Sequence, residues 1–386
     1  MSSRLLFHTL NGFGLGHLSR QVAIARAVRQ FDPTVEILFA TESSYGPTIA
    51  PEFPFFALPD GKQLKSEAWS GAGVGPRVRA LMSVMDALVK GYRPGALVHD
   101  TMVWPPLFEA AAAARVRQAM VLRVRKNLDA YLRDPAMPPQ RCDLLVLPYE
   151  PSTAPAVLRK LPRGLPPVAW VGDVGRQAGA SVAETRRRLG LGEGIKLIVV
   201  TGGAGGFADA PDFYALAADA LAAARSRLGT SCVVMVLGPA YEGPSPVIEG
   251  MTVLMWRELS WMPDVLAAAD LVLCQAGHNT IAELRRAGSR GIIVPAHRNV
   301  DDQFERARDA ANRSNQLDVF EGTDPEQLAV LIERSLAKPA PTRRTQGVKP
   351  KALRVRDLKK LIELGEVTSK TDPRKLPPLS KVVHHD

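Results

Sequence analysis

Three stretches of this chain place reactive or ligand-binding residue types at the ends of apolar runs. The first is HTLNGFGLGHLSR, residues 8–20. Gly12, Gly14 and Gly16 open a turn between a strand-like and a helix-like run, and His17 follows. A dinucleotide fingerprint, G-x-G-x-x-G, would need its third glycine where His17 stands, so that reading fails at the residue that packs helix on strand. Glu42, ending VEILFATE, could imitate the ribose-binding acid of such a site and is the one feature in its favour.

The second stretch is TGGAGGFADAPDF, residues 201–213. Gly202, Gly203, Gly205 and Gly206 lie between a strand-like run and a helix-like run. Such glycines let the backbone approach an anion, and the helix start supplies unpaired amides. No Gly-Lys-Ser/Thr follows, so this is not a Walker loop; a plain strand–helix turn is the alternative. The third stretch is DLVLCQAGHNTIAELRRAG, residues 270–288, followed by PAHRNVDDQ, residues 295–303. Gly277 opens a helix carrying Thr280 and Glu283. Glu283 reads either as an acid satisfying first-turn amides or as a carboxylate accepting bonds from ribose hydroxyls. Asp302 reads either as a helix cap or, with Gln303, as a pair bonding sugar hydroxyls.

The elements that must position these residues alternate. Strand-like runs at 4–10, 35–41, 95–100 and 143–148 are separated by helix-like runs, and a Pro-rich stretch at 162–180 then breaks the pattern. The alternation restarts with KLIVVT at 196–201 and continues to GIIVP at 291–295. Alternation of this kind specifies parallel sheets covered by helices, with ligands at the carboxyl ends of strands. The expectation is an α/β protein of two Rossmann-like domains facing each other across a cleft. Domain one spans residues 1–170, domain two 171–337, and a basic tail with one helix occupies 338–386.

The chain has 386 residues and a net charge of +10. The tail from Lys338 carries 13 Lys and Arg against 5 Asp and Glu, so the body is nearly neutral. That distribution argues against a nucleic-acid-binding face. It leaves a docking helix with solvated charges, or a peripheral contact of the tail with an anionic membrane surface. No apolar run is long enough to span a bilayer, and RLLFHTL is too short and wrongly flanked for a signal peptide. Cys142, Cys232 and Cys274 sit in apolar runs and read as buried thiols of a reducing cytosol. The expected location is cytoplasmic, either free or peripheral at the inner face of a membrane.

NGFGLGHLSR, GGAGGF, AADLVLCQAGHNTIAELRRAGSRGIIVP and the DDQ that follows together resemble the nucleotide-sugar glycosyltransferases of the GT-B fold. The likeness is to MurG-like N-acetylglucosaminyltransferases and the UDP-glycosyltransferases of small acceptors. It runs in order through residues 4 to 337 and is most specific in the C-terminal half. It implies transfer of a sugar from a nucleotide-diphosphate donor, a UDP-sugar above all, to an acceptor hydroxyl with inversion. By this resemblance Glu283 is the ribose-binding acid. Gly277 and Thr280 lie beside the diphosphate, and Gly202, Gly203, Gly205 and Gly206 form its loop. Asp302 and Gln303 bind the sugar, and Trp261 passes the nucleobase. His17 is the general base that takes the acceptor proton, Asp100 its partner, and Gly14 and Gly16 shape the acceptor-side loop. Gln275 stands where small-acceptor members have histidine and MurG-like members arginine, and Asp302–Gln303 where MurG-like members have two glutamines.

No Asp-x-Asp triplet occurs, so a metal-bridged diphosphate has no evident ligands, and helix N-termini and loop amides are expected to neutralise it instead. No cofactor is expected. The acceptor is a small molecule or a lipid-linked one; Trp69, Tyr92 and Trp104 either line its pocket or belong to the core. Two rivals share the frame. One is a nucleotide-sugar 2-epimerase or hydrolase, which would turn over donor without acceptor. The other is a non-catalytic nucleotide-sugar-binding partner protein.

Overall fold

The computed structural model describes residues 3–10, 15–59, 75–152, 154–176, 178–256, 261–299, 301–339 and 355–366. The chain divides into two compact units at Val174/Gly175, a few residues beyond the expected boundary at 170/171. Each unit contains one parallel sheet.

The first sheet has strands β1 (Arg4–Thr9), β2 (Glu36–Thr41), β3 (Phe55–Ala57), β4 (Ala96–Asp100), β5 (Arg117–Val121), β6 (Leu144–Leu147) and β7 (Val168–Trp170). Their order is β3-β2-β1-β4-β5-β6-β7, and every neighbouring pair is parallel. Central strands of such a sheet are covered on both faces, which is why β1 and β4 read as apolar runs rather than alternating ones. Leu5, Phe7 and Val98 face one core, packed with Val22 and Ala25 of the helix Gly16–Phe31. Leu6 and Leu97 face the other, under Met85 and Val89 of the helix Pro76–Tyr92.

The second sheet has β8 (Lys196–Thr201), β9 (Ser231–Val236), β10 (Thr252–Trp256), β11 (Leu271–Cys274), β12 (Gly291–Ile293) and β13 (Leu317–Val319), in the order β10-β9-β8-β11-β12-β13. Ile198 and Val200 bury one way, Leu197 and Val199 the other. Both sheets are therefore doubly wound. The strand order reverses between β1 and β4, and again between β8 and β11, and each reversal leaves a crevice at the strands' carboxyl ends.

Four strands were not expected. β3, β5, β7 and β13 are short, and β7 lies inside the Pro-rich stretch that reads as a hinge. Of the two readings of the tail, the docking helix is the one the structure contains. The helix Val355–Gly365 packs into the first unit, with Leu361 and Ile362 buried in the same core as Leu5. Ser3 Oγ donates to the Ile362 carbonyl at 3.3 Å, and Arg117 donates to that of Glu363 at 3.1 Å. A Cβ on Gly95 would lie 1.7 Å from the Gly365 carbonyl oxygen, so only glycine permits this approach. Among the described residues no helix is long and apolar enough to cross a membrane.

Candidate functional site

In the first unit, His17 is the second residue of the helix that follows β1, and Asp100 ends β4, the strand beside β1. The strand-order reversal thus brings together residues 83 positions apart: His17 Nδ1 lies 2.8 Å from Asp100 Oδ1. The sequence did not single out Arg20, one helical turn after His17. Its Nε donates to Asp100 Oδ2 at 2.8 Å and its Nη2 donates to Oδ1. Thr101 Oγ1 donates to Oδ1 at 2.9 Å. Asp100 is fully buried and Arg20 is 2% exposed, whereas the His17 side chain keeps 15% exposure. Burial by itself would raise the Asp100 carboxyl. The charges of Arg20 and then His17, with the bonds both donate, outweigh it and hold the group well below the usual carboxylate range.

This geometry fixes the tautomer of His17. An ionised carboxylate only accepts, so Nδ1 carries the hydrogen; in the neutral ring the lone pair is then on Nε2. Thr101 has φ 57°, a left-handed conformation that costs a β-branched residue on the order of 1–3 kcal/mol. The turn it makes ends β4 at the carboxylate.

Behind Asp100 lies a second buried imidazole pair. Gln118 Nε2 donates to the Phe108 carbonyl at 3.3 Å, so its Oε1 accepts from His99 Nε2 at 2.9 Å. His99 Nδ1 is then an acceptor, and His8 Nδ1, 3.0 Å away, must donate to it. His8 Nε2 is a buried lone pair with no partner among the described residues. Burial pushes His99 down to about 4, against the bond to Gln118, and places His8 well below its ordinary value. Both rings are therefore neutral in the folded protein. In the unfolded chain they bind protons below about pH 6.5, so the unfolded state holds more protons there and stability falls as pH falls. Stability is expected to be level above pH 6.5 and to decline between about 6.5 and 4. Urea unfolding across this range checks it; a flat midpoint would show that the pair contributes nothing, and His8→Phe should flatten part of the decline.

Tyr92 and Trp104 pack in the core that Leu6 and Leu97 face. Trp69 and Gly14 lie outside the described residues. Gly16 opens the helix that carries His17, and a Cβ there would meet nothing within 4 Å.

In the second unit, the glycine loop leaves β8. Gly202 N donates to the Tyr214 hydroxyl at 2.8 Å and Gly203 N to Thr201 Oγ1 at 3.1 Å. Gly203 and Gly205 have φ of +77° and +80°, and a Cβ on Gly205 would lie 2.2 Å from the Leu237 carbonyl oxygen. Gly205 therefore has a packing reason, since the loop there lies directly on the backbone after β9, whereas a Cβ on Gly203 would meet nothing within 4 Å. Gly206 lies beside them.

The other crevice wall is the helix His278–Ala287, which follows β11. Gly277 is its N-cap and offers no side chain, and its first turn holds no acid. Asp302 caps the next helix, accepting from Glu305 N at 2.9 Å, and Asp324 the one after, accepting from Glu326 N at 2.9 Å. The helix behind β11 thus starts without a side-chain bond from its N-cap residue, with Thr280 in its first turn, and presents the positive end of its dipole. Glu283, sixth in this helix and 4% exposed, does not serve that turn. Its Oε1 accepts from Arg176 Nε at 2.8 Å and from Arg176 N at 3.3 Å; its Oε2 accepts from Arg176 Nη2 at 3.3 Å. The capping alternative for Glu283 is thereby replaced by an ion pair. For Asp302 the capping alternative is what the geometry contains.

Gln303 Oε1 accepts from Ala276 N at 3.2 Å and Ala296 N at 3.1 Å, bracing the loops after β11 and β12. Gln275 Nε2 donates to Asp209 Oδ2 at 2.9 Å, and Arg298 donates to Asp209 Oδ1 at 2.7 Å and Gln275 Oε1 at 3.2 Å. This ring joins the glycine loop to both. Trp261, 38% exposed, caps the helix Met262–Ala268 and lies under the Arg188 guanidinium, 4.8 Å from its ring centre. Sequence reasoning missed Arg20, Arg176, Asp209 and Arg298. Arginine in a helix-like or loop-like run reads as solvated charge, and only the partner's position shows otherwise.

The comparisons with known proteins bear on both units. Residues 197–362 match the family model described as the glycosyltransferase family 28 C-terminal domain. The chain is 28% identical over 343 residues to a protein of Symbiobacterium thermophilum. That relative is named UDP-N-acetylglucosamine–N-acetylmuramyl-(pentapeptide) pyrophosphoryl-undecaprenol N-acetylglucosamine transferase, and the match covers 84% of this chain and 86% of that one. Among solved structures, a UDP-glucosyltransferase from Polygonum tinctorium matches with TM-score 0.63 at 15% identity, covering 95% of this chain and 99% of that one. MurG of Acinetobacter baumannii matches with TM-score 0.52 at 14% identity, covering 94% of each. These structural likenesses establish the fold.

Proposed function

We propose, from the premise that this chain is a MurG-like glycosyltransferase of the GT-B fold, that it moves a sugar from a UDP-sugar to an acceptor hydroxyl with inversion. The observation that carries this reading is the helix N-terminus behind β11, opened by Gly277 at the reversal point of the second sheet. Helix-start amides and a dipole end are what a diphosphate leaving group requires. Glu283 lies further along the same helix, held by Arg176, with Oε2 accepting from Arg176 Nη2 at 3.3 Å. That oxygen keeps lone-pair capacity for ribose hydroxyls. Gly202, Gly203, Gly205 and Gly206 shape the donor side. Asp302 and Gln303 meet the sugar, and Trp261 meets the base.

The acceptor is met by the first unit. His17 Nε2 takes the proton of the attacking hydroxyl, and Asp100 stabilises the imidazolium that forms. The oxygen attacks the anomeric carbon from the face opposite the diphosphate, which leaves with the bonding pair. The acceptor is a small molecule or a lipid-linked one. A lipid-linked acceptor would bring the chain to the inner face of a membrane, where the basic tail adds contact with anionic lipid; salt-reversible sedimentation with anionic vesicles tests that contact.

The reaction is proposed to need no metal or other cofactor. The test is steady-state kinetics with UDP-sugars. Glu283→Ala is expected to raise the donor KM about tenfold or more while leaving the circular dichroism spectrum unchanged, since a hydrogen bond to a charged group is worth roughly 1.5–3 kcal/mol. An unchanged donor KM would remove the ribose assignment. Turnover is expected to survive EDTA; loss restored by Mg²⁺ would overturn the metal-free reading. Turnover of donor without acceptor would favour the epimerase or hydrolase instead.

A further inference from the structure

His17 and Asp100 do not form an isolated pair. Among the described residues the Asp100 carboxylate accepts from His17, Thr101 and Arg20, and Arg20 donates to both of its oxygens. A lone buried carboxylate beside an imidazole would draw a proton onto the pair, either as carboxylic acid or as imidazolium. Either way the imidazole would lose its use as a base near neutral pH. A guanidinium, which cannot deprotonate in a protein, cancels that pull without competing for the Nδ1 hydrogen.

We propose that Arg20 is a positioning residue for the transfer reaction. It keeps Asp100 ionised and in one orientation, and so keeps His17 neutral with Nε2 free. The inference rests on His17 being the base.

The geometry supports this in two ways. Arg20 follows His17 by three residues, so the two side chains lie on one face of the helix Gly16–Phe31, both directed at the end of β4. Its fork spans both carboxylate oxygens, which fixes the carboxylate plane and with it the direction of the His17 bond. Among the described residues of this unit, the charged and titratable groups facing His17 and Asp100 are Arg20 on the same helix, His8 on β1 and His99 on β4. The last two are buried neutral rings, so Arg20 supplies the compensating charge.

The experiment is the pH dependence of kcat and kcat/KM for the full-length wild type, Arg20→Gln, Arg20→Lys and His17→Gln. In Arg20→Gln the acid limb is expected to move up by about one pH unit or more, because the His17–Asp100 pair now holds a proton to higher pH. The donor KM should stay within about twofold. In Arg20→Lys, which keeps the charge but not the fork, the limb should stay near the wild-type position while kcat falls several-fold. A uniform loss at every pH in Arg20→Gln, with the limb in place, would overturn the proposal and leave Arg20 a structural residue.

Should Arg20→Gln not fold, ¹⁵N shifts of His17 in the wild type at pH 7.5 decide the matter. A protonated Nδ1 with a bare Nε2 is expected; imidazolium or the opposite tautomer overturns the proposal. Near-normal turnover in His17→Gln would instead remove the base assignment itself. A deficient His17→Gln with an unmoved limb in Arg20→Gln removes the Arg20 role alone.

Discussion

Replacing His17 by alanine is expected to lower kcat by about 10²–10⁴-fold at saturating acceptor, a loss of about 3–5 kcal/mol of transition-state stabilisation. Removing the imidazole removes the acceptor for the hydroxyl proton, and no other group bonded to Asp100 can replace it. Arg20 carries only donors, and Thr101 is a neutral hydroxyl. The donor KM should hold, because Glu283 and the helix behind β11 belong to the second unit. Parallel kinetics in donor and acceptor separate the outcomes. Unaltered kcat would show that another group is the base; a large rise in donor KM would move His17 to the donor site.

Asp100→Ala should act on the fold as much as on turnover. It strips the carboxylate from a guanidinium that is 2% exposed, and removing one partner of a buried pair costs on the order of 3–5 kcal/mol. It also leaves Thr101 in its left-handed conformation without the bond its hydroxyl makes there. Asp100→Asn should cost less, because an amide oxygen can still accept and the cavity stays filled. Urea unfolding monitored by tryptophan fluorescence checks both; a wild-type midpoint for Asp100→Ala would mean the buried charge is relieved by rearrangement.

The doubly wound α/β architecture was legible because its central strands are apolar on both faces. KLIVVT and DLVLC need no long-range information to read as buried strands. β3 and β13 were not, since three residues carry too little pattern, and β5 opens with Arg117 and Gln118, which read as loop. His17 stood out by occupying a glycine's place. Arg20 did not, although it is buried, because LSRQVAIARAVRQ makes it look like a solvent-facing charge; its burial is decided by a carboxylate 80 residues away. Arg176 was hidden in a stretch whose prolines and glycines spoke only of a linker. The glycine loop carried two readings, and the close approach to Leu237 explains Gly205 by packing alone.

The helix Val355–Gly365 has a consequence for synthesis. The first unit begins at the N-terminus, yet its core is finished by residues near the other end of the chain, Leu361 and Ile362. A ribosome releases all six strands of the second sheet before it releases this helix. The unit translated first is thus the one completed last, and a fragment ending at Val174 leaves Leu5 and Gly95 without the helix that packs against them. Protease sensitivity of nascent chains stalled before and after residue 365 would record this inversion, with the second unit resistant in both and the first only in the longer.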